Sequence, residues 1–430
     1  MKPTRFRWTL AVLMFSITFM SYMDRVNLSV ATPMIMQEFS FSKVEIGLLQ
    51  TAFFVGYAAM QIPGGMLAEF FGQRAIAAAA VGWWSVFTSL TAFAGNFTSF
   101  AAIRFFFGLG EGPCYPSMNN FIYRWYNKAE KASAASFLLG GAWVGPVFGP
   151  PITVAMMLAF GWRSVFVSFG VVGLFLALGW WFLAKNDPRK SPYVNAAEAA
   201  HIDDGRDFAA DEKKELAPWR SFMTSSQFWA IGIQYFITDY IMYVFLAWLP
   251  LYLMEAQGFS LQKMGVFAAF PWAALCIMTF VTGFASDKLI ASGVTKHKAR
   301  TFFGAAGLLV SGLALYMAAV SHDTTMNVFW LTVSLGSLGC TFNASWACCI
   351  DIGGKFCGSV SGWMNFVGNV GGVLAPTLTA WIATNYGWQA AIMATSFSAV
   401  IGVVAWFAVK PDVPLVLRKV PLTVSETTKV

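Results

Sequence analysis

Gly65-Met66-Leu67-Ala68-Glu69-Phe70-Phe71-Gly72-Gln73-Arg74 follows the second long apolar run of this 430-residue chain. A partial copy follows the eighth run: Gly283-Phe284-Ala285-Ser286-Asp287-Lys288, with Arg300 beyond it. In both, a glycine precedes an acid by four residues at a helix end, and basic residues follow. A solvated turn between helices does not explain the duplication. A chain built from two copies of a six-helix unit does.

Composition agrees with that architecture. Hydrophobic residues make up 57%, aromatics 17% and charged residues 11%, and mean hydropathy is +0.60. A soluble domain is about 25% charged, so lipid must be the main solvent here. A bilayer core needs about 20 mainly apolar residues per helix. Twelve such runs fall near 9–34, 44–70, 75–95, 97–123, 132–158, 162–184, 224–254, 264–286, 301–321, 325–350, 358–384 and 387–409. The one long polar stretch, 185–220, divides them six and six and carries Asp187-Pro188-Arg189-Lys190 and Asp211-Glu212-Lys213-Lys214-Glu215. A short amphipathic helix is expected within it at 196–204. The expected organisation is an all-α integral membrane protein: an N-terminal bundle over 1–184, a cytoplasmic linker over 185–220, a C-terminal bundle over 221–410 and a tail over 411–430.

The net charge of +7 reports topology rather than a nucleic-acid partner. With the N-terminus inside, 23 Lys and Arg fall on the inner side and three, Lys43, Arg163 and Lys263, on the outer side. That bias places both termini in the cytoplasm. The basic stretch Met1–Arg7 precedes a long apolar run without a small-residue cleavage site, so it reads as a retained span. Cys114, Cys276, Cys340, Cys348, Cys349 and Cys357 lie in or beside apolar runs without metal spacing, and free thiols are expected. His201, His297 and His322 fall in the linker and loops, and no nucleophile elbow, zinc or phosphate-cradling motif appears. An enzyme is therefore not expected, nor is any cofactor beyond a proton as coupling ion.

The remaining charges are the informative ones. Asp24, Arg25, Arg104, Glu111 and Asp239 fall inside spans. Unpaired, each would cost roughly 2.5–3.5 kcal/mol at mid-membrane, so they must face a polar cavity and one another. Asp24 and Arg25 are adjacent, about 100° apart on a helix, and can flank one cavity edge with Tyr22 and Asn27. Arg104 and Glu111 are seven apart on one face, about 10 Å along the axis, too far to pair directly. Glu111 sits among Gly108, Gly110, Gly112, Pro113 and Pro116, the pattern of a broken, cavity-lining helix.

These motifs support a resemblance. The Gly65–Arg74 stretch and its copy resemble the signature loop of the major facilitator superfamily, with Glu69 where Asp is usual. Tyr22-Met23-Asp24-Arg25-Val26-Asn27 and Arg104 through Glu111-Gly112 to Pro116-Ser117 resemble the anion:cation symporter branch. Gly161-Trp162-Arg163, Asp187-Pro188 with Glu198, Trp248-Leu249-Pro250 and Gly362–Gly372 with Pro376 extend the likeness over nearly the whole chain. The resemblance implies two bundles around a cavity open alternately to either side. It gives Glu69, Arg74 and Asp287 as a gate latch that stabilises the outward-facing state. It gives Asp24 and Glu111 as proton-coupling acids, with Arg25 and Arg104 balancing them and holding the substrate carboxylate. Protonating an acid then frees positive charge for an anion, which links the two affinities.

The C-terminal half offers Gln234, Asp239 and Tyr243, then Asn343 and Trp346, then Asn365 and Asn369, as candidates for substrate hydroxyls. Asp239 departs from the resemblance and is a possible further titrating group. The expected function is import of an organic anion, of the hexuronate, aldonate or aldarate kind, by proton symport across a bacterial inner membrane, as a monomer. An aromatic or other carboxylate is the alternative. Gly141-Ala142-Trp143-Val144-Gly145-Pro146 resembles the helix-5 motif of drug:proton antiporters, which keeps that function, or a transporter-like sensor, as a further alternative.

Overall fold

The computed structural model describes residues 2–127, 129–204 and 217–415. The acid-base run 211–215 and most of the tail lie outside them. Fifteen α-helices account for nearly all of what is described. They are α1 Phe6–Phe39, α2 Lys43–Phe71, α3 Gln73–Thr91, α4 Phe97–Glu111, α5 Cys114–Trp125, α6 Lys131–Phe160 and α7 Trp162–Leu183 in the first part of the chain. After the polar stretch, which holds α8 Ala196–Asp203, come α9 Trp219–Met223, α10 Ser226–Glu255, α11 Leu261–Phe267, α12 Ala269–Ala291, α13 Lys296–Val320, α14 Thr324–Gly353 and α15 Cys357–Ala408. Eight helical segments pass the length and hydropathy requirements of a membrane span, and a bent α2 would make nine.

Local chemistry explains the ends. Ser42 and Glu45 form a reciprocal capping box at the start of α2, and Asn96 with Ser99 does the same for α4. The fourth apolar run is interrupted at Gly112 and Pro113, giving α4 and α5 in place of one helix. α15 is likewise broken at Gly387, whose φ of 85° and ψ of 167° are not helical. Gly161, between α6 and α7, has nearly the same backbone angles, 81° and 163°. Both dihedral pairs suit glycine alone.

The two glycines mark a repeat that the chain keeps in three dimensions. After each comes a tryptophan whose indole N–H donates to a glutamate at the end of the first long helix of its half. Trp162 donates to Glu38 at 2.9 Å, and Trp388 donates to Glu255 at 2.8 Å. In the first copy Arg163 pairs with that glutamate at 2.5 Å. In the second, position 389 is glutamine, and Glu255 pairs instead with Lys43 at 2.8 Å, a residue of the other half.

Within each half, α1 packs on α6, α2 on α4 and α3 on α7, while α10 packs on α15, α12 on α14 and α13 on α14 and α15. Between halves the main seams are α2 on α15, α6 on α12 and α1 on α10. Along α2 the seam is polar. Gln50 donates to the Ala247 carbonyl at 3.3 Å, and Thr51 to that of Val373 at 2.8 Å. The Phe54 and Tyr243 rings meet at 4.4 Å, and Asn365 donates to Gln61 at 3.4 Å. Near the Gly65–Arg74 end Phe70, Phe71 and Phe284 are exposed. The hydrogen bonds described between the halves thus lie toward the Lys43 end.

The polar stretch is tied to the first half. Glu198 of α8 accepts from the Phe6 and Arg7 amides at 3.0 and 3.1 Å, from the Arg7 guanidinium at 2.9 Å and from the Thr4 hydroxyl. Arg7 also pairs with Glu130 at 2.8 Å. Burial pushes the Glu198 carboxyl up, but these donors outweigh it and hold its pKa below the ordinary value. The Arg7 bond similarly lowers that of Glu130.

Candidate functional site

Four of the five intramembrane charges meet between α1 and α4, and all five are buried. Arg25 selects Glu111 rather than its neighbour Asp24. Its Nε donates to Glu111 Oε1 at 3.0 Å, and its Nη2 lies 2.8 Å from the same oxygen. The Nη2 contact is electrostatic, since its geometry departs from a hydrogen bond, and the Nε bond is the aligned one. Ser21, one turn before Arg25, donates to the same Glu111 oxygen. Asp24 points away around α1, accepting from Asn27 at 3.4 Å and facing Thr88 and Trp84 of α3. Asn27 in turn accepts from Thr153 of α6 at 2.9 Å.

Arg104 is held differently. Its guanidinium lies 4.7 Å from the Phe107 ring centre and 5.0 Å from that of Phe53. Arg25 lies over Phe53 too, at 5.0 Å, and over Tyr22 and Tyr57 at 4.6 and 4.7 Å. One phenyl ring therefore serves both cations, and a desolvated cation over an aromatic face gains about 2 kcal/mol. α2 comes close enough to place Phe53 there because Gly108 has no side chain: a Cβ would stand 2.1 Å from the Phe53 carbonyl oxygen.

Several buried polar atoms around this group have no hydrogen-bond partner: Asp24 Oδ2, Glu111 Oε2, Arg104 Nε and Tyr115 Oη. Such atoms are uncommon and expensive in a protein interior. Here they surround one pair of arginines. Among the described residues no group of three or more His, Cys, Asp or Glu side chains could hold a metal ion.

The opposite wall is aromatic. Tyr243 donates to Asn369 at 3.4 Å, and Asn369 donates to the Asn365 carbonyl at 2.8 Å. Trp346 donates to the Tyr235 hydroxyl at 3.0 Å, and Phe342 bridges that pair to Trp143 of α6, with ring centres 5.0 Å apart across the halves. Gln234 is fully buried and used within the bundle, donating to the Ile231 carbonyl and accepting from Ser345 at 3.0 Å. Asn343 packs toward Gly283 on α12. The residues that sequence reasoning passed over are Ser21, Phe53, Tyr57, Gln61 and Tyr235. Each sits in an apolar run; Ser21 and Tyr235 could have been flagged by one-turn spacing, lying four from Arg25 and Asp239 respectively, whereas Phe53, Tyr57 and Gln61 are spaced by one turn only from one another.

Of the expected gate residues, Arg74 and Asp287 have partners in their own halves. Arg74 donates to the Trp181 carbonyl at 2.8 Å and lies over its ring at 4.2 Å. Asp287 is 73% exposed and stands 3.4 Å from Arg300. Glu69 is exposed at the same end. The glycines of helix α6 are packing positions: added Cβ atoms at Gly141 and Gly145 would meet the α1 carbonyls of Phe15 and Phe19 at 2.2 and 2.7 Å. The six cysteines are free thiols.

Comparison with known proteins gives this arrangement relatives. Residues 14–376 match the profile of the Major Facilitator Superfamily. The chain is 30% identical to a probable L-galactonate transporter of Escherichia coli (strain K12), covering 94% of this chain and 89% of that protein. It is 31% identical to a probable sulfoacetate transporter of Cupriavidus necator, over 86% and 85%. It is 29% identical to a probable galactarate/D-glucarate transporter of Bacillus subtilis, over 97% and 95%. Among solved structures, a bacterial homologue of the human lysosomal transporter Spinster, inward-facing and unoccupied, superposes with a TM-score of 0.77 at 20% identity, covering 94% of this chain and 96% of that one.

Proposed function

The chain belongs to the Major Facilitator Superfamily, and we propose that it is a secondary transporter importing a small organic anion of the sugar-acid kind by proton symport. The observation that carries this reading is the pair of buried arginines, one bonded to Glu111 and the other resting on Phe53 and Phe107, with polar atoms around them left unbonded. Two desolvated guanidinium groups repel a cation and attract a carboxylate. The names of the relatives, which include galactonate, galactarate/glucarate and sulfoacetate transporters, point the same way.

In this reading α4 with α5 form one span, α11 with α12 another, and α15 two, giving twelve spans in two six-helix bundles. Both termini and the linker are cytoplasmic, in a bacterial inner membrane, and the monomer is the working unit. The Lys43 end is then the outer end, and the conformation described is open to the inside. From here a proton leaves and the carrier resets. On the outer side, protonation of Glu111 releases Arg25, and the freed guanidinium with Arg104 takes the carboxylate. Asp24, the second acid, faces Arg104 and restores the balance when cargo departs. Tyr22, Tyr243, Asn365 and Asn369 meet the hydroxyl-bearing end of the cargo.

The test is uptake into cells or proteoliposomes of galactonate, glucarate, glucuronate and benzoate, driven by an imposed pH gradient. Glu111→Gln should lose proton-driven accumulation while retaining exchange. Accumulation undiminished in Glu111→Gln would sink the coupling assignment. The ring-lined wall of Tyr235, Trp346, Phe342 and Trp143 favours a second reading, an aromatic carboxylate, and benzoate in the panel separates the two.

A further inference from the structure

Asp239 is the one acid of the five intramembrane charges that comes from the second half of the chain. It sits on α10, is 3% exposed, and receives no hydrogen bond among the described residues. Asp24 and Glu111, by contrast, each accept at least one. Arg25 and Tyr22 face Asp239 from α1, across the boundary between halves, but Arg25 pairs with Glu111 and not with it. Its neighbours on α10 are committed elsewhere: the Tyr243 hydroxyl donates to Asn369, and that of Tyr235 accepts from Trp346. α15 meets it with bare backbone, since a Cβ on Gly368 would stand 2.2 Å from Asp239 Oδ2. The acid neither caps a helix nor ties two helices together, so no structural use accounts for it.

A carboxyl group in this setting needs a polar partner. Water can serve while the cavity is empty. When cargo displaces that water, the partner must come from the cargo, or the group is left buried and unsatisfied. Arg25 lies across from Asp239, so a cargo whose carboxylate engages the arginine turns its other end toward the acid. A hydroxyl there both donates and accepts, and therefore fits the carboxyl group whether it is ionised or protonated. A methyl group or an aromatic C–H edge does neither. We propose that Asp239 is the specificity residue for the end of the cargo remote from its carboxylate, selecting acids that carry a hydroxyl there over those that end in hydrocarbon. The inference rests on the reading of this cavity as the anion site of an importer. It commits that site to polyhydroxylated acids and makes Asp239 the group that enforces the choice.

The experiment measures uptake by the full chain in proteoliposomes under one imposed pH gradient. The probes are galactonate, its analogue with the terminal hydroxyl replaced by hydrogen, and benzoate. The wild type should favour galactonate over the deoxy analogue by about tenfold to a hundredfold in kcat/KM, the scale on which a buried polar group left without a partner is rejected. Asp239→Leu, of nearly the same size, should bring the two sugar acids to near parity by losing galactonate uptake alone. Asp239→Asn keeps an acceptor and should keep most of the preference. Asp239→Ala repeats the comparison if the leucine variant fails size-exclusion chromatography. Equal wild-type kcat/KM for the two sugar acids overturns the inference, as does a leucine or alanine variant that keeps the full preference or loses both acids alike. Uptake of benzoate with neither sugar acid also overturns it, while the importer reading stands. Absence of all three uptakes refutes the importer reading itself.

Discussion

Removing the charge of Glu255 should open the end of the molecule where the halves now meet. Glu255 lies 2.8 Å from Lys43, with the two side chains 34% and 24% exposed, and Lys43 also lies 5.5 Å from the Trp388 ring centre. Exposed ion pairs are worth about 0.2–1 kcal/mol, and a cation on an exposed ring adds about 0.5–1 kcal/mol. Glu255→Gln keeps an acceptor for the Trp388 N–H and keeps Lys43 near the ring. The loss is then the ion pair alone, about 1 kcal/mol, which changes the ratio of closed to open states by roughly fivefold. The assay is maleimide labelling of Thr51→Cys, a position bonded across the seam to Val373 and Thr377, with the half-buried Cys276 and Cys357 replaced by alanine. Labelling should quicken about fivefold in Glu255→Gln and return toward the parent rate in the exchange Lys43→Glu with Glu255→Lys. Glu38→Gln is the control, because its partners Trp162 and Arg163 belong to its own half. An unchanged rate in Glu255→Gln, or an equal rise in Glu38→Gln, would refute the reasoning.

Gly368→Ala should abolish uptake, because its methyl group would overlap Asp239 Oδ2 and the Tyr235 ring at 2.2 and 2.6 Å, whereas Gly362→Ala, with nothing within 4 Å, should transport normally; galactonate uptake compares them. Arg104→Lys keeps the charge but loses the flat contact with Phe53 and Phe107, and should raise KM roughly tenfold in uptake kinetics. Glu198→Gln removes a charged acceptor from four donors and should cost about 2 kcal/mol of stability, read as a lower thermal midpoint at neutral pH. The folded pKa values of Glu198 and Glu130 are depressed, so their contribution is present above the unfolded value, near ~4.3, and is lost as pH falls through the folded values. The wild-type midpoint should accordingly drop on acidification below about pH 4.3, and Glu198→Gln should drop less.

The sequence disclosed what depends on local pattern. The duplicated Gly65–Arg74 loop, the apolar runs and the interruption at Gly112-Pro113 are all written in neighbouring residues. Charges in lipid are costly enough that Asp24, Arg25, Arg104, Glu111 and Asp239 stand out one at a time. The pairing among them is another matter. Arg25 bonds to Glu111, 86 positions away, rather than to the adjacent Asp24, because that choice depends on how α1 faces α4. Phe53 reads as one phenylalanine among 42 until Gly108 brings α2 close. Gln234 reads as a cargo ligand in the sequence, and only the fold brings Ser345 of α14 to its amide oxygen. The paired Glu38–Trp162 and Glu255–Trp388 bonds repeat one motif whose partners are separated by most of a half, so no short window contains it.

The tie between Glu198 and the first turn of α1 has a consequence for biosynthesis. The acid that satisfies the Phe6 and Arg7 amides and one arm of the Arg7 guanidinium is encoded after every long helix of the first half. While the ribosome is still making α2 to α7, the Phe6 and Arg7 amides at the start of α1 lack this acceptor, and Arg7 has only Glu130. The acceptor arrives when α8 emerges, before any long helix of the second half exists. The first half is thus completed as a closed unit on which α10 to α15 then assemble, and truncation just short of Glu198 should leave a bundle that inserts but is cleared by quality-control proteolysis sooner than one ending just after α8.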